Sequence, residues 1–307
     1  MFGRIIRWLK EPDLFAQETR SGPRPRNTGE ITLIGPPGHG KTTFVFALMG
    51  SLKRLGAVWS HWYFSLSPEL DAKVRYQALE AASRRVPEPS GDEVESYSGH
   101  LSGLPRWGDR PLLLTELGYR SRLHDLNHRV ASTAPVEMIF ISPEELRVDP
   151  LERLDTVVAS CLSPSGSRAA SRFRSSKILV LTQADRCLWP AEIHAYLLGD
   201  PFRGLWPDPK SLTANGNTAT YLRHLVCPGQ SPAERLEQMA MQDARLKDWL
   251  ASTPDGAAAL EHFAAAGADL RICAVSALGS YPIGNKLLLP WRPRCVLDPL
   301  FWAFEMT

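Results

Sequence analysis

Gly35, four further residues, and then Gly40, Lys41 and Thr42 form the stretch "GPPGHGKT", and no other feature constrains the fold of this chain as tightly. Before it, Ile31 to Ile34 is an apolar run suited to a buried strand. After it, Thr43 to Met49 reads as the first turns of a helix. Glycines accept the turns that aim backbone N–H groups around Gly38 to Lys41 inward, and Lys41 adds a point charge at the helix N-terminus. Strand, glycine loop and helix in that order predict a phosphate-binding (Walker A) loop; an ordinary glycine turn would match the spacing without requiring both flanks. Gly35, Gly38, His39, Gly40, Lys41, Thr42 and Thr43 are the expected phosphate contacts, with the Thr42 hydroxyl offered to Mg2+. His39, set between two glycines, is expected to point outward rather than act as an acid or base.

At 307 residues the chain has room for one large α/β domain or two small ones, and its 44% apolar and 22% charged composition is that of a soluble globular protein. A net charge of +2 argues for no polyanionic partner, and no nucleic-acid motif is present. Five cysteines, odd in number and without a CxxC pair, indicate neither a disulfide framework nor a zinc site, so a reducing cytoplasm is the expected location. No apolar stretch approaches bilayer length, and there is no signal-peptide pattern. Residues 2–10 nevertheless interleave Phe2, Ile5, Ile6, Trp8 and Leu9 with Arg4, Arg7 and Lys10, which suits weak contact with an anionic membrane or a partner, or a leader helix lying on the domain. Residues 1–28 are accordingly expected to be a leader and linker, and residues 29–307 a single domain.

Ala57 to Leu66 is aromatic and apolar enough for a second strand. A helix should follow, opened by Ser67 or Pro68 and closed by Pro87. Residues 88–110, rich in Gly, Ser, Pro and charge, read as a mobile loop. Short apolar runs then recur at Pro111–Leu114, Val136–Ile141, Ile178–Leu181 and Leu270–Val275, separated by helix-compatible stretches. Such a series predicts an α/β fold, a mostly parallel sheet with helices on both faces. The segment 188–269 is longer than a crossover needs. It holds a predicted helix capped by Ser231 with Glu234 three residues on, and it is expected beside the nucleotide-binding edge as a lid or partner surface.

In such a sheet, ligands sit at the carboxyl ends of the strands. Thr182-Gln183-Ala184-Asp185 follows the run "KILVL", and Ser276-Ala277-Leu278 follows "RICAV". With the glycine loop, these two turns resemble the base-specificity motifs of the P-loop GTPases of the translation-factor-related, Ras-like class. Alone, the first would equally be a Thr cap and an Asp in a helical first turn. The resemblance implies a three-layer P-loop NTPase fold with GTPase-like topology, a large insertion before the last strand, and binding of GTP or GDP with Mg2+. Asp185 would accept from the ring NH and exocyclic amine of guanine, Gln183 would lay its stem over the base, and the Ala277 NH would reach the guanine carbonyl. "GPPG" followed by "KTT", the long stretch before the third strand, and "VLDPLFWAF" resemble the bacterial double-GTPase family of conflict systems. That narrower likeness implies a molecular switch working with neighbouring gene products or an activating protein.

The third strand should end in Asp-x-x-Gly, whose aspartate holds Mg2+ through water. The sequence there is "PLLLTELGYRSR". Aligning on Gly118 puts Thr115 in the acid's place, whereas aligning on the acid puts Glu116 there and leaves the glycine one residue early. Lys41, Thr42, Gly118 and Thr115 are thus the expected catalytic set, and Thr42, Thr115 and Glu116 the expected metal set. Tyr119 stands where many GTPases carry a water-orienting glutamine, and Arg120 and Arg122 read as solvated helix residues sooner than as charge-stabilising groups in cis. Ser65, Ser67 and Ser102 are equal candidates for the switch residue that closes over Mg2+. A slow or partner-activated GTPase is the leading expectation, with a non-hydrolysing scaffold as the alternative. An ATP-using enzyme would need an acid such as Glu144 or Glu145, but these read as a helix's first turn opened by Ser142 and Pro143.

Overall fold

A computed structural model describes residues 29–56, 62–82, 94–104, 107–117, 134–148, 153–162, 176–206, 232–280, 282–284, 286–287 and 289–307. A seven-stranded sheet organises them. Its strands are β1 (Glu30–Ile34), β2 (Tyr63–Leu66), β3 (Glu95–Leu104), β4 (Gly108–Glu116), β5 (Val136–Ile141), β6 (Ser176–Leu181) and β7 (Leu270–Ala274), in the spatial order β2-β3-β4-β1-β5-β6-β7. From β4 to β7 every pairing is parallel, while β3 runs antiparallel to β4, and β2 to β3. The helices are α1 (Lys41–Leu55), α2 (Pro68–Ala82), α3 (Pro143–Val148), α4 (Leu154–Leu162), α5 (Ala191–Leu198), α6 (Pro232–Ala251), α7 (Pro254–Ala265) and α8 (Asp298–Met306). A small hairpin, β8 (Pro282–Ile283) with β9 (Lys286–Leu287), precedes α8.

Strand alternation divides the core between the two faces of the sheet. Met138, Phe140, Ile178 and Val180 meet Phe44, Leu48 and Leu52 of α1 and Leu300, Phe301 and Phe304 of α8. Their neighbours Ile139, Ile141, Leu179 and Leu181 meet Val157 and Val158 of α4, Leu246 and Leu250 of α6, and Phe263 of α7. Central strands covered on both sides explain the unbroken apolar runs of the sequence. Glu137, the one charge inside β5, is offset by Lys177 of β6 at 2.6 Å. The result is a three-layer α/β fold with a mostly parallel central sheet.

Two expectations are corrected. Residues 88–110, read as a loop, contain β3 and the start of β4, which pair as a hairpin through the turn glycines Gly103 (φ 73°) and Gly108 (φ 67°). Serines and glycines hid the period-two pattern in which Tyr97 and Leu101 face the core. Within segment 188–269, the long helix α6 does not form a lid. α6 buries Leu236 and Met239 in one core and Leu246 and Leu250 in the other, so it wraps the β7 edge as the crossover from β6 to β7. Ser231, the expected cap of that helix, lies outside the described residues. Of the expected second strand, Tyr63–Leu66 is β2 and positions 57–61 lie outside the described residues; α2 starts where anticipated, with the Leu70 N–H donating to Ser67 Oγ at 3.3 Å. Among the described residues no helix is long and apolar enough to cross a membrane.

Candidate functional site

The loop between β1 and α1 turns on three positive-φ glycines, Gly35 (152°), Gly38 (80°) and Gly40 (80°). At Gly35 the constraint is also steric, because a Cβ there would lie 2.3 Å from the Phe140 carbonyl oxygen of β5. Lys41 opens α1 and folds back, its Nζ donating to the carbonyls of Gly35 at 2.8 Å and Pro36 at 3.0 Å. The ammonium therefore stands across the loop that the glycines shape. His39 does not point outward as expected. It is 2% exposed, and its Nδ1 accepts the Ser142 N–H at 3.0 Å. With Nδ1 accepting, the ring is neutral and carries its proton on Nε2. Burial and then the charge of Lys41 lower its pKa to about 4, against a smaller opposing effect of Glu145. Ser142 also caps α3, its Oγ accepting from the Glu145 N–H at 3.3 Å, and so joins β5 to the loop.

At the end of β4 the two possible acid positions are separated by geometry. The Thr42 hydroxyl donates to the Glu116 carboxylate, at 2.9 Å from one oxygen and 3.1 Å from the other. Glu116 shares strand parity with Leu112 and Leu114, which belong to the core on the α1 side. Thr115 has the opposite parity, pairs with Thr32 and Ser96, and is not brought to Thr42. Glu116 has a second neighbourhood that the sequence did not suggest. Tyr97 of β3 is in hydrogen-bond contact with Glu95, and its hydroxyl lies 3.5 Å from Glu116. Lys73 of α2 pairs with Glu95 at 3.1 Å. Burial first, then the bond to Glu95 and the charge of Glu116, push the Tyr97 phenol well above its ordinary pKa, so it stays a donor. No local signal reveals this cluster, because it is assembled across the β3–β4 pairing.

At the ends of β6 and β7, Thr182 Oγ1 donates to the His39 carbonyl at 2.8 Å, and Gln183 Nε2 donates to the Gly38 carbonyl at 3.1 Å. Gln183 sits at φ 53°, a left-handed conformation that aims its side chain back over the loop. The Ser276 hydroxyl donates to Asp185 and accepts the Gly279 N–H at 2.9 Å. The Ser276 turn is clamped in turn by the chain entering α8, through a two-bond bridge to Arg294 at 3.1 and 2.8 Å. Asp185 and Ser276 line a cavity of about 490 Å3, together with His194, Leu197, Ser280, Leu289 and Arg294 among others; Gln183, Ala277 and Leu278 do not line it.

Gly118, Tyr119, Arg120 and Arg122 lie outside the described residues. Ser65 is on the edge strand β2, Ser102 is on its neighbour β3, and Ser67 caps α2. Among the described residues none of the three hydrogen-bonds to the phosphate loop. Glu145 pairs with Arg186, so it is a structural acid.

No protein-family model matches the chain, and no curated protein matches it. Among solved structures it is similar to a bacterial selenocysteine-specific elongation factor, EF-Sec, at 13% identity and a TM-score of 0.34, over 82% of this chain and 26% of that one. It is also similar to the signal recognition particle receptor SRb-GTP/SRX complex of Chaetomium thermophilum, at 12% identity and a TM-score of 0.39, over 92% of this chain and 99% of that one. This chain thus spans about a quarter of the elongation-factor chain. Likeness at this level carries no argument about chemistry, which rests on the site's own residues.

Proposed function

We propose that the chain is a guanine-nucleotide-binding switch that holds GTP or GDP with Mg2+ and controls a protein partner. The observation that carries this is the interlocking of three loops at one edge of the sheet. Thr182 and Gln183 bond the backbone of the phosphate loop, and Asp185, two residues further on, is braced by Ser276. A base read by Asp185 would thereby be held in a set relation to phosphates at Gly35–Thr43. An aspartate suits guanine, which offers a ring NH and an amine as adjacent donors; adenine does not.

The donor set near Thr42 fits Mg2+. A hydroxyl and one carboxylate converge there, and this small hard cation takes its remaining oxygens from water and phosphate. It needs no cluster of three His, Cys, Asp or Glu, and the described residues contain none. When bound, Mg2+ would neutralise charge on the outer phosphates. Glu116 takes the place of the aspartate, and Thr115 is left without a metal role. With the glycine one residue closer than usual and Tyr119 after it, hydrolysis is slow or depends on an activating protein. A cytoplasmic location rests on the cysteine content alone, and partners encoded nearby belong to the narrower likeness to the double-GTPase family, which rests on the sequence patches alone.

A second reading, a scaffold that does not turn over, is favoured by the way Lys41 and Thr42 are satisfied by loop carbonyls and Glu116. Titration with fluorescent GDP and ATP analogues, with and without Mg2+, tests the assignment on the native chain, Lys41→Ala, Asp185→Ala and Glu116→Gln. GDP preference should vanish in Asp185→Ala. Glu116→Gln should raise the Mg2+ needed for half-maximal retention about tenfold while leaving binding in EDTA unchanged. Equal competition by ATP would refute a guanine site, and phosphate release under saturating GTP separates switch from scaffold.

A further inference from the structure

The cavity that Asp185 lines is also lined by Arg294, a residue that precedes α8 and belongs to no recognisable motif. Three observations set Arg294 apart. Its backbone is fixed to Ser276 by two hydrogen bonds, at 3.1 and 2.8 Å, so the base of its side chain is held beside the serine that braces Asp185. Its neighbour Cys295 holds a left-handed turn (φ 57°) and donates its N–H to the buried Asp200 at 2.6 Å, which anchors this stretch of chain from below. Among the described residues its guanidinium makes no hydrogen bond or ion pair, although Asp185 lines the same space. The two described arginines that are fully buried, Arg110 and Arg235, are both paired, whereas Arg294 is half-buried at the cavity wall.

An acceptor and a fork of donors thus face one cavity of about 490 Å3 without meeting each other. The space is within the usual range for a bound small molecule. A ligand that satisfies both must present adjacent donors to the carboxylate and adjacent acceptors to the guanidinium. Guanine does so on neighbouring edges of one ring system, with N1–H and the 2-amino group on one side and O6 and N7 on the other. Adenine presents an amine where O6 would stand, which would set donor against donor. Planar, two-pronged donation to O6 and N7 is the recurrent way an arginine reads guanine.

We propose that Arg294 is a second base-specificity residue, donating to O6 and N7 of a guanine whose Watson–Crick donors are held by Asp185. The assignment rests on the guanine-nucleotide reading above and adds a residue to it. It makes the clamp between Ser276 and the start of α8 part of base recognition, because the backbone bridge that braces the serine turn also aims the arginine.

The test is competition by GDP, IDP, ADP and 7-deaza-GDP against a fluorescent GDP analogue, on the full-length native protein, Arg294→Met, Arg294→Lys and Asp185→Asn, with thermal melts as a control. Arg294→Met should weaken GDP and IDP alike, by roughly tenfold or more, since both carry O6 and N7. It should leave ADP unchanged. Arg294→Lys should recover part of the loss, and native protein should bind 7-deaza-GDP several-fold more weakly than GDP. Asp185→Asn should instead change the ratio of GDP to IDP, because only guanine has the 2-amino group. If Asp185→Asn abolishes GDP preference while Arg294→Met stays within twofold and 7-deaza-GDP binds as GDP does, the guanine site stands and the role of Arg294 is refuted. If native protein does not prefer GDP over ADP, both assignments fall together. Should Arg294→Met fail to fold, the 7-deaza-GDP comparison on native protein decides alone.

Discussion

His39 shows how a residue of unremarkable type acquires a sharp physical role from its surroundings. In the unfolded chain its imidazole takes a proton as pH falls below about 6.5, whereas in the folded protein it does so only near about 4. Between those values the unfolded state binds more protons, so stability is undiminished above pH 6.5 and falls as pH drops toward 4. At pH 5 the loss from this group is about 2 kcal/mol. His39→Asn retains an acceptor near the place of Nδ1 for the Ser142 N–H and cannot titrate. Urea unfolding of both proteins at pH 7.5 and pH 5 should show a smaller acid loss in the variant by about that amount. An equal loss in both would place the acid sensitivity elsewhere.

The β1–α1 loop is shaped as much by β5 as by its own glycines. Gly35 has φ 152° and no room for a Cβ, because the Phe140 carbonyl oxygen would be 2.3 Å away. Gly38 also has positive φ but meets nothing within 4 Å. The two glycines therefore respond differently to the same change. Gly35→Ala should destabilise the protein by about 3 kcal/mol and abolish nucleotide binding, since either the loop or the end of β5 must shift. Gly38→Ala should cost about 1 kcal/mol, from backbone strain alone. Thermal melts with and without GDP measure both terms, and equal effects at the two positions would show that the β5 contact is not limiting.

Across the whole molecule, the segment between β6 and β7 is tied to the C-terminal helix by one buried polar cluster. Arg235 of α6 donates twice to Asp298 of α8, at 2.9 and 2.8 Å, and is 1% exposed. The Tyr196 hydroxyl of α5 donates to Asp298 at 2.7 Å, and Asp200 lies 3.9 Å from the guanidinium. Burial opposes the charge on Arg235, but Asp298, Tyr196, Cys295 and Asp200 together hold its pKa well above the ordinary guanidinium value. Breaking one side leaves carboxylates buried without a counter-charge, so Arg235→Ala should cost about 3–5 kcal/mol. Replacing the pair together, with Arg235→Met and Asp298→Leu, should recover much of that loss. Calorimetric melts of the three proteins test this. A double variant as unstable as Arg235→Ala would show that the cluster holds the helices by more than charge balance.

The features legible in the chain alone are local. Gly35 to Thr42, the runs that became β1, β5, β6 and β7, and the turns at Thr182 and Ser276 all depend on neighbours within a few residues, where spacing is itself geometry. Their order along the chain was enough to indicate a parallel sheet with its loops gathered at one edge. The choice between Thr115 and Glu116 was not local. Both lie at the end of one strand, and only the parallel register of β4 on β1, which sets Glu116 beside Leu33, decides which of them faces Thr42. The hairpin of β3 and β4 was missed because its glycines and serines weaken the alternation that pairing then enforces. The burial of His39 depends on Ser142, 103 positions away, and the place of Arg294 depends on a bridge between β7 and the approach to α8. Such contacts are made by chain folding back on chain, and no spacing within a single segment encodes which side chain will be opposite.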